Sequence, residues 1–425
     1  MIATVLLLIM ALLGAPLFVV IAALAMVGFM STEVDLSVMA IEFYRLAEMP
    51  ILLAIPLFTF AGYVMSESGA PQRLVRVTQA LLGWMPGGLA IVSLVACAIF
   101  TAFTGASGVT IVALGALLYP ALQQAGYHER FNLGLITTSG SLGLLFAPSL
   151  PLILYGVMVQ QLGVGRSITI DELFLAGVLP GLLMVLLLSS WGIWTHRKVK
   201  LQQFSWQELR AASWQAKWEL PLPVIVLGGI YSGYFAVSEA AAVTVLYVLA
   251  TSVFIYREIP LRRLPKIMHD SMMMVGAILL ILGVSLASTN YLIDTEVPNK
   301  LFEMIRANIS DKLTFLVLLN LFLLVLGTML DIFSALVIMV PLLLPIAIGY
   351  GIDPVHLGII FLANMQIGYF TPPVGMNLFI ASYRFGKPVM ELYRATIPFF
   401  VLLLFSVLVI TYWPALSLWL PSLQH

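Results

Sequence analysis

"GYFTPPVGMNLF", residues 368–379, stands inside an uncharged run from Leu357 to Tyr383. A run of that length is enough for one helix to cross a bilayer. Its centre nevertheless holds two adjacent prolines, two glycines and a threonine. A proline removes a backbone donor and clashes with the turn before it. Gly368 and Gly375 loosen the chain further. Pro372 and Pro373 together therefore predict an unwound turn at mid-membrane. Carbonyls freed in hydrocarbon are costly unless they line a cavity or bind something. The stretch thus predicts a discontinuous helix over 357–383; the competing reading is a proline kink in an ordinary packing helix.

The rest of the chain agrees with a membrane location. It is 61% hydrophobic and 9% charged, with mean hydropathy +1.05, where a soluble domain is about one quarter charged. The fold class expected is an all-α polytopic membrane protein. A net charge of zero offers no basic stripe for nucleic acid. The single cysteine, Cys97, excludes an internal disulfide and a thiolate metal cluster. The five histidines fall in loops or at span ends with no ligand spacing, so neither a metal site nor a histidine triad is expected.

Uncharged length divides the chain into N-terminal scaffold spans over 1–66; a first transport repeat, 67–165, with a hairpin 88–119 and a broken helix 131–165; scaffold and interfacial helices over 166–311; a second transport repeat, 312–385, with a hairpin 313–347 and a broken helix 357–383; and a C-terminal span, 386–425. "ESGAPQRLVRVTQALLGWMPGG" is amphipathic and suits the interface. With the 197–217 loop in the cytoplasm and both hairpins re-entrant, fifteen of the twenty Lys and Arg lie on the cytoplasmic side. Arg45, Arg166, Lys300, Arg306 and Lys312 lie outside, the bias a bacterial inner-membrane protein shows.

The second half of the chain can be laid on the first. Placing Thr328 on Thr104 also puts Leu357–Ile360 on Leu133–Ile136, Asp331 on Ser107 and Pro372 on Pro148, with "GY" at 126 and 349 one residue out of step. An odd number of spans between the hairpins inverts the second copy. Inverted repeats with broken helices near the midplane are a mark of secondary transporters. Sodium takes oxygen ligands, and the breaks offer two sets. Thr104, Gly105, Ser107 and Gly108 of "TGASG" with Pro148 and Ser149 of "APSLP" form the first expected Na+ site. Thr328, Met329 and Asp331 of "GTMLD" with Thr371, Pro372, Pro373 and Gly375 form the second. Ser139 and Ser141, with Asn364 and Gln366, lie on the helices leading into the breaks. They serve either as interhelical glue or, with Ala106 at the first tip, as substrate contacts.

Asp331 and Glu239 are the acids inside apolar segments. A carboxylate at the bilayer centre costs about 2.5 kcal/mol or more, which makes it a functional candidate. Asp331 is either an ion ligand or an N-cap for the amides of Phe333 and Ser334; Glu239 in "VSEAAAV" is expected to cap its helix. No Lys or Arg lies deep in a span, so a substrate carboxylate would meet helix N-termini near Gly108 and Leu150, or bound sodium.

"GGLAIVSLVACAIFTAFTGASG", "GSLGLLFAPSLPLILYG", "GGIYSGYFAVSEAAAV" and "GIDPVHLGIIFLANMQIGYFTPPVGMNLF" together resemble the large membrane subunit of tripartite ATP-independent periplasmic (TRAP) transporters, over essentially the whole chain. The resemblance implies an elevator-type sodium symporter that imports an organic acid. It also implies a separate small membrane subunit of about four spans and a soluble periplasmic substrate-binding protein. The rivals are a dicarboxylate–sodium symporter working alone, an intramembrane enzyme, for which no catalytic pair lies at depth, and an ion channel.

Overall fold

The computed structural model describes residues 9–10, 14–196 and 203–423; most of the first half of the expected first span and the run Arg197–Lys200 lie outside them. All regular structure among the described residues is helical, and eight segments are long and apolar enough to cross a membrane. The N-terminal part comprises α1 (Leu17–Ser31), the amphipathic α2 (Ser37–Ala47) and α3 (Ala54–Glu67). The arm helix α4 (Ala70–Leu82) then leads to the first hairpin, α5 (Gly88–Thr104) and α6 (Ser107–Gln124). The first broken segment is α7 (Glu129–Ser139) and α8 (Leu150–Leu162). Next come α9 (Ile170–Thr195), the exposed α10 (Trp206–Gln215), α11 (Pro221–Tyr231), α12 (Val237–Leu249) and the long α13 (Leu264–Asp294). A second arm helix, α14 (Val297–Asn308), precedes the second hairpin, α15 (Lys312–Met329) and α16 (Ile332–Gly349). The second broken segment is α17 (Pro354–Gly368) and α18 (Met376–Phe385), and α19 (Val389–Tyr412) closes the bundle.

The element boundaries correct the register read from the sequence. Thr104 and Met329 end the first limbs, Ser107 and Ile332 begin the second, and Gln124 and Gly349 end them; α7 and α17 begin at Glu129 and Pro354. Every pair keeps one offset, and it is one position larger than the offset that places Thr328 on Thr104. Gly126 and Gly351, the turn glycines at positive φ, keep the same spacing. Asp331 therefore corresponds to Ala106, not to Ser107: both are the extended N-cap residues of the returning limbs. The sequence match slipped by one because it followed the Leu-Gly identity at 133 and 357, and because Pro372 and Pro373 stand side by side, so that Pro148 fits either spacing. The first break is also longer than "APSLP". Helix α7 ends at Ser139 and a 3-10 turn, Leu142–Leu145, intervenes before α8, since Gly140 and Gly143 weaken the helix well upstream of Pro148.

The two arm helices are held differently. From α4, Arg73 Nε donates to Glu219 at 2.7 Å, and its Nη2 donates to Glu258 Oε2 at 3.0 Å. The Gly69 N–H donates to the same Glu258 oxygen at 2.8 Å, and the guanidinium lies 3.9 Å over the Tyr256 ring. The α14 arm makes no ion pair among the described residues: Lys300 donates to the Thr295 carbonyl at 2.9 Å, and Arg306 sits 5.7 Å over Phe302 of its own helix.

Candidate functional site: two hairpin tips against two helix breaks

Each hairpin tip ends against the break of its own half, and glycine makes the close approach possible. On the first side, a Cβ on Gly143 would stand 2.5 Å from the Thr101 Cβ, and one on Gly105, at the tip, would collide with Leu150 at the start of α8. On the second side, a Cβ on Gly368 would lie 2.5 Å from the Gly327 Cα. Gly143 and Gly368 are equivalent under the corrected register, so both halves use one glycine to bring hairpin backbone onto broken helix. The peptide bonds Ala147–Pro148 and Pro372–Pro373 are cis.

The first tip is buried and neutral. Thr104, Gly105 and Ser107 are all covered, and Gly108 is half-buried. Ser107 Oγ donates to Asn377 Oδ1 at 2.7 Å, and Asn377 Nδ2 reaches the Thr137 carbonyl at 3.4 Å. Thr101 Oγ1 donates to the Gly140 carbonyl at 2.9 Å. Ser149 Oγ donates back to the Leu144 carbonyl at 2.5 Å. Asn377 and Thr101 were missed in the sequence. Asn377 follows "TPPVG" by one residue past Met376 and serves the opposite hairpin, which no local spacing reveals.

The second tip carries the charge. Asp331 is the N-cap of α16: one carboxylate oxygen accepts from the amides of Phe333 and Ser334, each at 3.0 Å, and the other accepts from the Ser334 hydroxyl. The Ile332 amide donates to Tyr369 Oη at 2.6 Å, and the Gly375 amide to the Thr328 carbonyl at 3.0 Å. Thr328 and Thr371 turn their hydroxyls onto carbonyls of their own helices, those of Val325 and Ile367. Here the wall is open: Pro372 and Pro373 are exposed, and so is Met329 at 66%. Glu239 serves its own helix instead and accepts from the Ala236 amide at 2.9 Å, as a cap.

The two breaks meet. Ser141 Oγ donates to the Gln366 carbonyl at 3.1 Å, joining residues that the corrected register makes equivalent. Ser139, Asn364 and Gln366 are fully covered. Asn364 donates to Asn320 Oδ1 at 2.6 Å, an oxygen that also accepts from Thr411 at 3.1 Å, and Gln366 Nε2 contacts Met184. These amides sit between helices. Four buried side-chain oxygens around the breaks have no partner: Thr104 Oγ1, Thr138 Oγ1, Asn364 Oδ1 and Gln366 Oε1. A buried unmet acceptor costs about 1–3 kcal/mol, so this zone is chemically set for polar guests. No group of three His, Cys, Asp or Glu able to hold a transition metal occurs among the described residues.

Paired hairpins abutting paired helix breaks in an all-helical bundle define an integral membrane protein of the discontinuous-helix class. A solved structure, that of the YdaH transporter of Alcanivorax borkumensis, shares the fold, with TM-score 0.63 over 89% of this chain and 87% of that one, at 14% identity. The chain belongs to the family described as "Tripartite ATP-independent periplasmic transporter, DctM component", whose model matches residues 2–416. It is 35% identical to a protein of Rhodobacter capsulatus named C4-dicarboxylate TRAP transporter large permease protein DctM, over 93% of this chain and 92% of the relative. It is 34% identical to the isethionate TRAP transporter permease protein DctMQ of Oleidesulfovibrio alaskensis, over 89% of this chain and 59% of that longer protein. The chain is a TRAP transporter large permease component and not an enzyme.

Proposed function

We propose that this permease is a sodium-coupled importer of an organic acid anion, working by elevator motion of inverted repeats. It receives its substrate from a periplasmic substrate-binding protein and functions with a small four-span membrane subunit. The observation that carries the reading is a junction of tips and breaks: Ser107–Asn377 joins the first tip to the second broken segment, Ser141–Gln366 joins the two breaks, and the Gly375 amide on the Thr328 carbonyl joins the second tip to its own break. Such a junction gathers unwound carbonyls, hydroxyls and helix N-termini at one depth, as midplane transport sites require. The buried, unpartnered Thr104 Oγ1 suits a sodium ion at the first tip. At the second, the Thr328 and Pro373 carbonyls each already accept one bond, and a carbonyl has a second lone pair to give. The amides of α6 and α8 offer the positive ends for a carboxylate or sulfonate. The names of the relatives, C4-dicarboxylate and isethionate transporters, support a small organic anion.

The test is uptake into proteoliposomes containing the chain, its small subunit and its binding protein. An inward sodium gradient is expected to drive accumulation of the acid that the binding protein holds. If more than one sodium accompanies each monoanion, a negative interior adds about 2.3 kcal/mol per net charge per 100 mV. Equal uptake with potassium replacing sodium refutes the coupling.

A further inference from the structure

Helix α10 has one face bonded to the protein and one face bare. Trp206, Arg210 and Trp214 stand four residues apart, which stacks them in one stripe along the helix. Lys217, in the turn just past the helix, folds its ammonium over the Trp214 ring at 4.5 Å. Trp206 and Trp214 are 75% and 71% exposed, and Arg210 and Lys217 are exposed as well. Large aromatic rings ordinarily gain by burial, so two bare indoles on one stripe call for an occupant. The inner face is satisfied. Ala212 and Ala216 are buried. Glu208 accepts from Arg76 Nε of the arm helix α4 at 2.8 Å, the Gln215 side chain accepts from the same guanidinium, and the Gln215 carbonyl accepts from Tyr256 Oη at 2.6 Å.

The charge on the bare face is of one sign. Glu208 is the only acid of α10 and is held by Arg76, while Glu219 and Glu258 beside it are held by Arg73. Among the described residues, Arg210 makes no ion pair or hydrogen bond, and Lys217 meets only the indoles of Trp214 and Trp218. The stripe is also continuous with an aromatic belt. Trp194, 61% exposed, stands in the last turn of α9, a helix long and apolar enough to cross a membrane. Trp84 stands two residues past the end of α4, and Phe204 bridges it to Trp206 by edge-to-face contacts with ring centroids 6.3 and 5.1 Å apart. Tryptophans at the ends of spans mark the boundary between bilayer and water, so the bare face of α10 lies at headgroup level.

We propose that the outer face of α10 is a docking surface for anionic phospholipids of the cytoplasmic leaflet. The indoles of Trp206 and Trp214 enter the bilayer interface, and Arg210 and Lys217 meet the lipid phosphates. Because Glu208 and Gln215 bind Arg76, the lipid surface then sets the level of α4, the arm that leads into the first hairpin.

The test is quenching of tryptophan fluorescence by lipids brominated near the headgroup, in nanodiscs holding the full chain with its small subunit. The chain has eight tryptophans, so the signal is the difference between the parent and Trp206→Phe with Trp214→Phe. Brominated phosphatidylglycerol, as a minor fraction in phosphatidylcholine, is expected to half-quench this pair at a roughly fivefold lower fraction than brominated phosphatidylcholine does, about the effect of one cation near an anionic surface. Arg210→Gln with Lys217→Gln should erase the preference and leave the quenching by phosphatidylcholine in place. If that variant fails to accumulate, the parent at about 1 M salt, where charges are screened beyond about 3 Å, should lose the preference in the same way. Absence of quenching of the pair by either lipid would show that the small subunit or water covers this face and overturns the proposal. Equal half-quenching fractions, or a preference that persists without the two cations or under that screening, overturns it as well.

Discussion

The two halves of this permease share a skeleton and differ in their chemistry. The limb ends around the two tips and the starts of the two broken helices recur at one constant spacing, which Gly143 and Gly368 share where break meets hairpin. At the tips the likeness ends. The first returning limb is capped by Ala106 and is buried beside Asn377; the second is capped by Asp331 and stands beside exposed prolines. Backbone geometry was therefore held in common, because it sets how a hairpin meets a break. The groups that would bind an ion were free to diverge, so the sites proposed at the two tips should not be interchangeable.

The largest test of that asymmetry is the tip charge. Asp331→Asn keeps the size of the side chain and most of its capping ability, since asparagine caps about as well as aspartate. It removes one charge-assisted contact of about 1.5–3 kcal/mol. If the second tip binds sodium through this carboxylate, the sodium concentration for half-maximal uptake should rise roughly ten- to hundredfold. Ala106→Ser at the equivalent neutral position should leave it nearly unchanged. A sodium titration of the Asn variant that overlays the parent's would leave Asp331 as a cap alone.

The next test asks whether the shared skeleton is equally strict in both halves. A methyl group at Gly143 or Gly368 meets neighbouring hairpin atoms at 2.5 Å, which calls for a shift of limb against break. Overpacking of this kind costs about 1–3 kcal/mol. Gly143→Ala and Gly368→Ala should each lower thermal stability in detergent by that order, and by similar amounts. Gly276→Ala, with open space around its Cβ position, is the control, expected to be neutral or stabilising by up to about 1 kcal/mol. Loss at only one of the two sites would show that the halves pack by different rules.

How much of this was legible in advance follows from what sequence can encode locally. "TPPVG" announced its own break, because adjacent prolines cannot continue a helix. "GTMLD" and "TGASG" announced the tips through small and polar residues inside apolar runs. The register was misread because "LGLI" and "LGII" match only at a spacing one residue short of the one the helix boundaries keep, while the adjacent Pro372 and Pro373 let Pro148 fit either spacing. Asn320, Asn377 and Thr101 escaped notice because each acts across a contact between segments distant in sequence; Ser107 and Asn377 are 270 residues apart. Asn364 and Gln366 were legible as polar residues in a span, but whether they face a cavity or a neighbouring helix depends on Asn320 and Met184. Arg73 looked like one of many cytoplasmic basic residues, and its partners lie 146 and 185 residues onward.

The smallest expected effect concerns the arms. Arg73 ties α4 to Glu219 and Glu258, whose side chains are 8% and 28% exposed, whereas Arg306 only stacks on its own helix. Burial pushes the Glu258 carboxyl up, but the bonds from Arg73 and the Gly69 amide outweigh it and hold the group below its ordinary value. A depressed carboxylate stabilises the fold above its unfolded value, near 4.5, and that contribution fades as pH falls through the lower folded value. Arg73→Ala leaves a largely covered Glu219 unpaired. The fully buried penalty is discounted for the partly exposed partners, leaving about 1–2 kcal/mol. Thermal unfolding should therefore drop in the Ala variant at pH 7, with Arg73→Lys recovering only part, since a lysine cannot make the forked contact. As pH falls below 4.5 and through the lower folded value of Glu258, the gap between parent and Ala variant should narrow. Arg306→Ala, losing an exposed cation–π contact, should cost about 0.5–1 kcal/mol at most and show no such pH dependence. Equal losses from the two substitutions, or a gap for Arg73→Ala that stays constant into acid, would mean that the α4 arm is not held by this ion cluster and that the two arms are anchored alike.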